Sequence, residues 1–328
     1  MEFSPVPVTI ITGYLGAGKT TLLNHLLTQP DRRWAVVVNE FGQIGIDNAL
    51  VLGVEEDLVS LNNGCLCCQI RDDLVGTLME LISRRAEFDG IIVETSGIAN
   101  PAPILHTLLT HPFLNRSYQL DGVITVVDSI HLDQVLQEEE GRTQIALADV
   151  LIANKADLLS AQEMEQIQHR IQSLNADAPV FSAIKGQVDD RVWTQRRSYD
   201  IQSAAWEAIG HDSHHHHDHE HDHEHDHSVT SHSFKLDGTI SPESFQQWMG
   251  RLMAQEDMRI YRMKGILNLE REDHRIVFHG VHQWFDSASG PVWKPEERRT
   301  NQFVFIGKDL KPTLLEMAMS SSLTRSGR

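Results

Sequence analysis

Gly13-Tyr14-Leu15-Gly16-Ala17-Gly18-Lys19-Thr20-Thr21 fits the spacing G-x-x-x-x-G-K-T, with an apolar run before it and a helical pattern after it. A glycine-rich turn that opens a helix surrounds phosphate oxygens with backbone N–H groups and with the partial positive charge of the helix N-terminus. Lys19 is placed to reach β- and γ-phosphates, and the Thr20 hydroxyl to ligate Mg²⁺. The chemistry is binding of a nucleoside triphosphate, with Gly13, Gly16, Gly18, Lys19, Thr20 and Thr21 as the expected contacts. Further on, Val93-Glu94-Thr95-Ser96-Gly97 supplies an acid that can hold the hydration shell of Mg²⁺ or orient an attacking water. Its glycine lets the chain approach a γ-phosphate. Lys19 and Glu94 are the candidate catalytic residues.

Two tetrapeptides bear on the base. In Asn154-Lys155-Ala156-Asp157, an aspartate at the mouth of a nucleotide pocket accepts two hydrogen bonds from guanine N1–H and the exocyclic amine, which adenine cannot supply. GTP is therefore expected over ATP, because the wrong base leaves a carboxylate unpaired. Ser182-Ala183-Ile184-Lys185 is placed where a backbone N–H contacts guanine O6, which adds Ser182 and Ala183 to Asn154, Lys155 and Asp157.

Gly64-Cys65-Leu66-Cys67-Cys68 holds all 3 cysteines of the chain. Three thiolates with one nitrogen or oxygen ligand make a tetrahedral Zn²⁺ site; Cu(I) also suits them, whereas Mg²⁺ and Ca²⁺ do not. A second metal-binding composition runs from His214 to His227, where imidazoles alternate with Asp and Glu. Mostly neutral at pH 7, these histidines form a loose buffer for transition-metal ions, weaker per ion than the thiolates.

These residues need a scaffold that gathers strand ends. Val6 to Thr12, Trp34 to Asn39, Gly90 to Glu94, Gly122 to Asp128, Asp149 to Asn154 and Pro179 to Phe181 read as buried strands. Asp72 to Arg85 and Ala161 to Asn175 read as helices between them, which predicts an α/β fold: a P-loop NTPase with a mostly parallel sheet flanked by helices. Beyond the histidine tract, Ser233 to Leu236, Ser241 to Ala254, Arg259 to Asn268, Arg275 to Phe278, Val281 to Phe285 and Gln302 to Ile306 predict a small α+β C-terminal domain. The expected division is 1–205, a linker over 206–231 with the disorder-prone composition of His and acidic residues, and 232–328.

With 328 residues, 41% hydrophobic, the chain can bury a core. Lys+Arg 28 against Asp+Glu 46 gives a net charge of -18, which disfavours nucleic acid and anionic membranes as partners. No apolar run approaches the roughly 20 residues of a membrane-spanning helix. Met1 to Pro7 carries no basic segment of a secretory signal, so a cytoplasmic location is expected. Crowded cysteines in odd number exclude a disulfide framework.

Gly13-x-x-Gly16-x-Gly18-Lys19-Thr20, Asn39-Glu40-Phe41-Gly42, Cys65-Leu66-Cys67-Cys68, Glu94-Thr95-Ser96-Gly97 and Asn154-Lys155-Ala156-Asp157 together resemble the CobW-like metal-chaperone GTPases, of the zinc-regulated metalloprotein-activator type. That family is related to the nickel-insertion GTPases of urease and hydrogenase maturation. Arg262-Met263-Lys264-Gly265 and Phe303-Val304-Phe305-Ile306-Gly307 resemble its C-terminal domain, and the likeness runs from Val8 to Leu310. It implies a slow GTPase that binds Zn²⁺, or a similar ion such as Co²⁺ or Ni²⁺, at the C-x-C-C motif and hands it to a client apo-metalloprotein. It also makes Glu40 and Asp47 candidates for Mg²⁺ or switch contacts, and pairing of two copies across the nucleotide an arrangement to expect. Gln43 stands where many members carry an acid, which leaves the fourth thiolate-site ligand open, His111 or a linker histidine being substitutes. Two other uses remain open: zinc storage or sensing with nucleotide-gated partner binding, and cobalt delivery to cobalamin synthesis or a cobalt enzyme.

Overall fold

The computed structural model describes residues 5–28, 33–39, 58–60, 68–194, 229–255 and 257–324. The chain divides into two compact units, Met1–Asp200 and Ile201–Arg328.

The first unit begins with β1 (Val6–Thr12), α1 (Lys19–Leu27), β2 (Trp34–Asn39), β3 (Leu58–Ser60), α2 (Cys68–Ser83), β4 (Gly90–Thr95), α3 (Ala102–Thr110) and α4 (Leu114–Ser117). It continues with β5 (Tyr118–Asp128), α5 (Leu132–Gln137), α6 (Glu139–Leu147), β6 (Val150–Asn154), α7 (Ala161–Leu174), β7 (Val180–Ser182) and α8 (Arg191–Thr194). Its seven strands form one sheet in the order β3-β2-β4-β1-β5-β6-β7, and every pairing in it is parallel. Parallel strands need covered faces, which is why they are apolar throughout rather than alternating. β1 shows this at the centre of the sheet, with Val8, Ile10 and Ile11 fully buried.

Strand alternation sends successive side chains to opposite faces. Ile11, Ile92, Ile124 and Ile152 point to the layer that holds Leu22, Leu23 and Leu26 of α1. Glu94 shares that parity. Thr95 and Thr125 have the other, and the Thr125 hydroxyl donates to the Gln144 carbonyl of α6 at 2.7 Å. Helices therefore lie on both faces. The expected strands are all present, with β5 four residues longer at its start than the apolar run suggested.

The second unit comprises β8 (Val229–Asp237), β9 (Thr239–Ile240), α9 (Pro242–Met253), β10 (Arg259–Leu267), β11 (His274–Val281), β12 (Trp284–Val292), β13 (Thr300–Lys308), α10 (Pro312–Ser320) and β14 (Leu323–Thr324). Five strands form an antiparallel sheet in the order β12-β11-β10-β13-β8. Phe245, Trp248, Met249 and Leu252 are spaced three and four apart on α9 and buried together with Phe278, Phe303 and Phe305 of the sheet. Val281 to Phe285 is not one strand. Val281 ends β11, His282 takes a left-handed φ of 53°, and Trp284 opens β12, so the apolar residues flank a tight hairpin.

Among the described residues, no helix is long and apolar enough to cross a membrane.

Candidate nucleotide site

The loop between β1 and α1 sits at the carboxyl edge of the parallel sheet, where open α/β folds bind ligands. Gly13, Gly16 and Gly18 take φ values of 143°, 74° and 101°. Gly13 is the most constrained of them: a Cβ there would lie 2.1 Å from the Val126 backbone carbonyl oxygen, and one at Gly18 would lie 2.3 Å from the Asn154 Nδ2, both in conformations L side chains avoid.

Lys19 is the first residue of α1, and it is buried. Its Nζ donates to the Gly13 carbonyl at 2.8 Å and the Tyr14 carbonyl at 3.3 Å, so the ammonium folds back over its own loop. Burial pushes the Lys19 ammonium below its ordinary value, and the Glu94 carboxylate pulls it back up part of the way. The Thr20 hydroxyl donates to Glu94 Oε1 at 3.0 Å. Residues 74 positions apart are thereby joined, the first from α1 and the second from the end of β4. Thr21 is exposed on the next position of the helix.

The base-side loops are braced against the phosphate loop. Asn154, buried at the end of β6, donates from Nδ2 to the Ala17 carbonyl at 2.8 Å and accepts from Gly186 N–H at 3.3 Å. Lys155 follows in a left-handed conformation at φ 65°, and Asp157 stands exposed in the short turn Ala156–Leu158. That turn is stitched to the neighbouring loop: Ala156 N–H donates to the Ala183 carbonyl, and Ala183 N–H to the Ala153 carbonyl. The Ser182 hydroxyl accepts from Gln168 Nε2 at 3.0 Å. The P-loop, Glu94, N-K-x-D and Ser182-Ala183 candidates thus gather at one edge of one sheet, on its strand ends, the loops after them and the first turn of α1.

Two residues not anticipated from sequence join them. Asp128, buried at the end of β5, accepts from Lys155 Nζ at 2.6 Å and lies 2.9 Å from His131 Nδ1. Burial pushes the Asp128 carboxyl up, but the bonds from Lys155 and His131 outweigh it and hold it below the ordinary carboxylate value. These side chains line a cleft of about 250 Å³ against Tyr14, Leu15 and Gly16. The signal that could have found Asp128 was its place as an acid closing a buried run.

Of the remaining candidates, Glu40, Asp47, Cys65, Cys67 and the tract from His214 to His227 lie outside the described residues. Cys68 opens α2, but its side chain is outside them too. His111 follows α3, where its Nδ1 accepts from Leu114 N–H at 3.4 Å at the turn into α4. Among the described residues no group of three or more His, Cys, Asp or Glu is arranged to hold a metal ion.

A glycine loop cradled by a helix N-terminus, with its lysine buried and its threonine on a strand-end acid, defines a P-loop nucleotide-binding protein. Residues 7–182 match the family model for the CobW/HypB/UreG nucleotide-binding domain, and residues 229–323 that for the cobalamin synthesis protein cobW C-terminal domain. The chain belongs to the CobW/HypB/UreG family. It is 34% identical to zinc-regulated GTPase metalloprotein activator 1 of Schizosaccharomyces pombe, over 95% of this chain and 82% of that one. It is 30% identical to the zinc chaperone YjiA of Escherichia coli, over 94% and 95%. The crystal structure of the Zn(II)-bound YjiA GTPase from E. coli superposes with a TM-score of 0.71 at 27% identity, covering 98% of this chain and 100% of that one.

Proposed function

We propose that this protein hydrolyses GTP and uses the cycle to bind Zn²⁺ at Cys65, Cys67 and Cys68 and deliver it to a client metalloprotein. The observation that carries the GTPase half is the Thr20 hydroxyl on the Glu94 carboxylate, beside a buried Lys19. Both are hard oxygen donors, the type Mg²⁺ prefers, and Thr20 and Glu94 would hold it directly or through water. The ion held there would supply neutralisation of the charge that builds on the β- and γ-phosphates. Lys19 exchanges the carbonyls of Gly13 and Tyr14 for phosphate oxygens, at little cost because it is already desolvated and held on the loop. Lys155, anchored on Asp128, and Asp157 in the adjoining turn select guanine.

The zinc half rests on the thiolate spacing and on family membership. Its relatives named above carry zinc in their names, and the chain spans most of each of them. The test is GTP turnover in Mg²⁺ with and without one equivalent of Zn²⁺, together with Asp157→Asn. Turnover is expected with the wild type, modulated by zinc, and the variant shifts preference from GTP toward XTP. A chain that turns over no GTP under any condition is a storage or sensing protein instead. Unchanged guanine preference removes Asp157 from the base site.

A further inference from the structure

Gln144 lies on α6 and is 1% exposed, a buried carboxamide outside the set of residues expected to contact GTP or Mg²⁺. Its carboxamide Nε2 donates to two backbone carbonyls of the loop that follows β4: Ala99 at 3.0 Å and Gly97 at 3.2 Å. The loop closes on itself through Ala99 N–H to the Ser96 carbonyl at 3.1 Å. On its other side it rests on the phosphate loop, since a Cβ at Gly97 would lie 2.8 Å from the Leu15 Cα. Only a glycine permits that approach.

The loop is therefore held from both layers of the sheet. Glu94, two residues before it, reaches toward α1 and Thr20. Gln144 grips it from the opposite face, where the Gln144 carbonyl is itself fixed by the Thr125 hydroxyl. Two buried polar atoms beside the loop have no hydrogen-bond partner among the described residues: the Gln144 Oε1, an acceptor, and the Ser96 Oγ, a donor. Buried groups left unpaired are costly, so an acceptor and a donor beside the loop mark a place where a water or a ligand oxygen gains hydrogen bonds on binding.

We propose that Gln144 is a positioning residue for triphosphate recognition, holding the Gly97 and Ala99 carbonyls so that the loop after β4 meets the γ-phosphate in one defined position. Gln144 touches no nucleotide; it acts through the loop. This rests on the reading of Glu94 and Gly97 as the γ-phosphate side of the site. The loop is the two-state element on which presence of a γ-phosphate acts, and Gln144 sets its resting state.

The experiment compares wild type and Gln144→Met in the full chain. Methionine matches the length and burial of glutamine and removes both donors. Affinity for GDP and for a non-hydrolysable GTP analogue is measured with Mg²⁺, alongside kcat and KM for GTP. The variant is expected to bind GDP within about twofold of wild type, to lose about fivefold or more of its preference for the analogue, and to lose about tenfold in kcat. Wild-type preference and kcat in the folded variant overturn the proposal, as does an equal loss for both nucleotides, which a merely structural role produces. In the wild type, amide exchange across Ser96 to Asn100 is expected to slow with the analogue relative to GDP, and identical exchange overturns the proposal without any variant. If the wild type neither hydrolyses GTP nor prefers the triphosphate, it is the GTPase reading that fails.

Discussion

Single side chains at this site are set by what surrounds them more than by their type. Glu94 is an acid at a strand end, a common enough residue, but it is buried and in contact with Thr20 of the phosphate loop. Glu94→Gln keeps the shape and the hydrogen bond while removing the charge. Steady-state GTP hydrolysis is expected to fall by about a hundredfold, with GDP binding in the absence of Mg²⁺ little changed. Loss of both together would make Glu94 a structural residue. Asp128 gives a pH-dependent expectation. Its carboxyl titrates below the ordinary value of 3.8 in the folded protein, so folding favours the ionised form. The stabilisation is complete above that value and drains away as pH falls through the folded one. Asp128→Asn removes this dependence. The difference in Tm between wild type and variant, followed from pH 7 downward, should narrow in the acid range; a difference that stays constant with pH would mean that ionisation of Asp128 contributes nothing.

At the level of elements, local chemistry predicts its own perturbations. α7 begins with a reciprocal cap: Ser160 Oγ accepts from Glu163 N–H at 3.3 Å and Glu163 Oε2 from Ser160 N–H at 2.8 Å. Ser160→Ala leaves one N–H of the first turn without its partner and should cost about 1 kcal/mol in urea unfolding. The strands of the parallel sheet were legible because each is an apolar run bracketed by polar residues, and the phosphate loop because its glycines and lysine have few other uses. Val281 to Phe285 reads as one strand for a related reason, and the structure divides it: side chains on both shoulders of a two-residue turn look continuous when only hydrophobicity is counted. Asp128 and Gln144 had weaker signals still. A buried glutamine in a helix is indistinguishable from an exposed one by spacing, and only the path of the loop after β4 shows why it is inside. Asn154 is a nucleotide-contact candidate by its motif, and the structure adds a bracing task that the motif does not show: its carboxamide ties the Ala17 carbonyl of the phosphate loop to the Gly186 N–H.

Over the whole chain, two compositions suited to metal ions are separated along the sequence: the cysteines Cys65, Cys67 and Cys68, and an imidazole-rich tract from His214 to His227 that precedes β8. Thiolates bind Zn²⁺ in a closed tetrahedral site, whereas alternating imidazoles and carboxylates offer many weak, exchangeable sites. A net charge of -18 raises the local concentration of cations for both. Titration with Zn²⁺ should therefore resolve one tight equivalent and several weak ones. Deleting 211–227 should remove the weak ones alone, and Cys67→Ser with Cys68→Ser the tight one alone. Coupling between the nucleotide and the thiolates then has a direct reading in the deletion variant, free of the buffering tract. The tight affinity should differ between the GDP and GTP-analogue states by a factor of about 5–150, the range that a switch of roughly 1–3 kcal/mol provides. By linkage, Zn²⁺ must shift the preference for the two nucleotides by that same factor, so the two titrations check each other. Equal zinc affinity in both states would leave the nucleotide cycle without a hold on the metal.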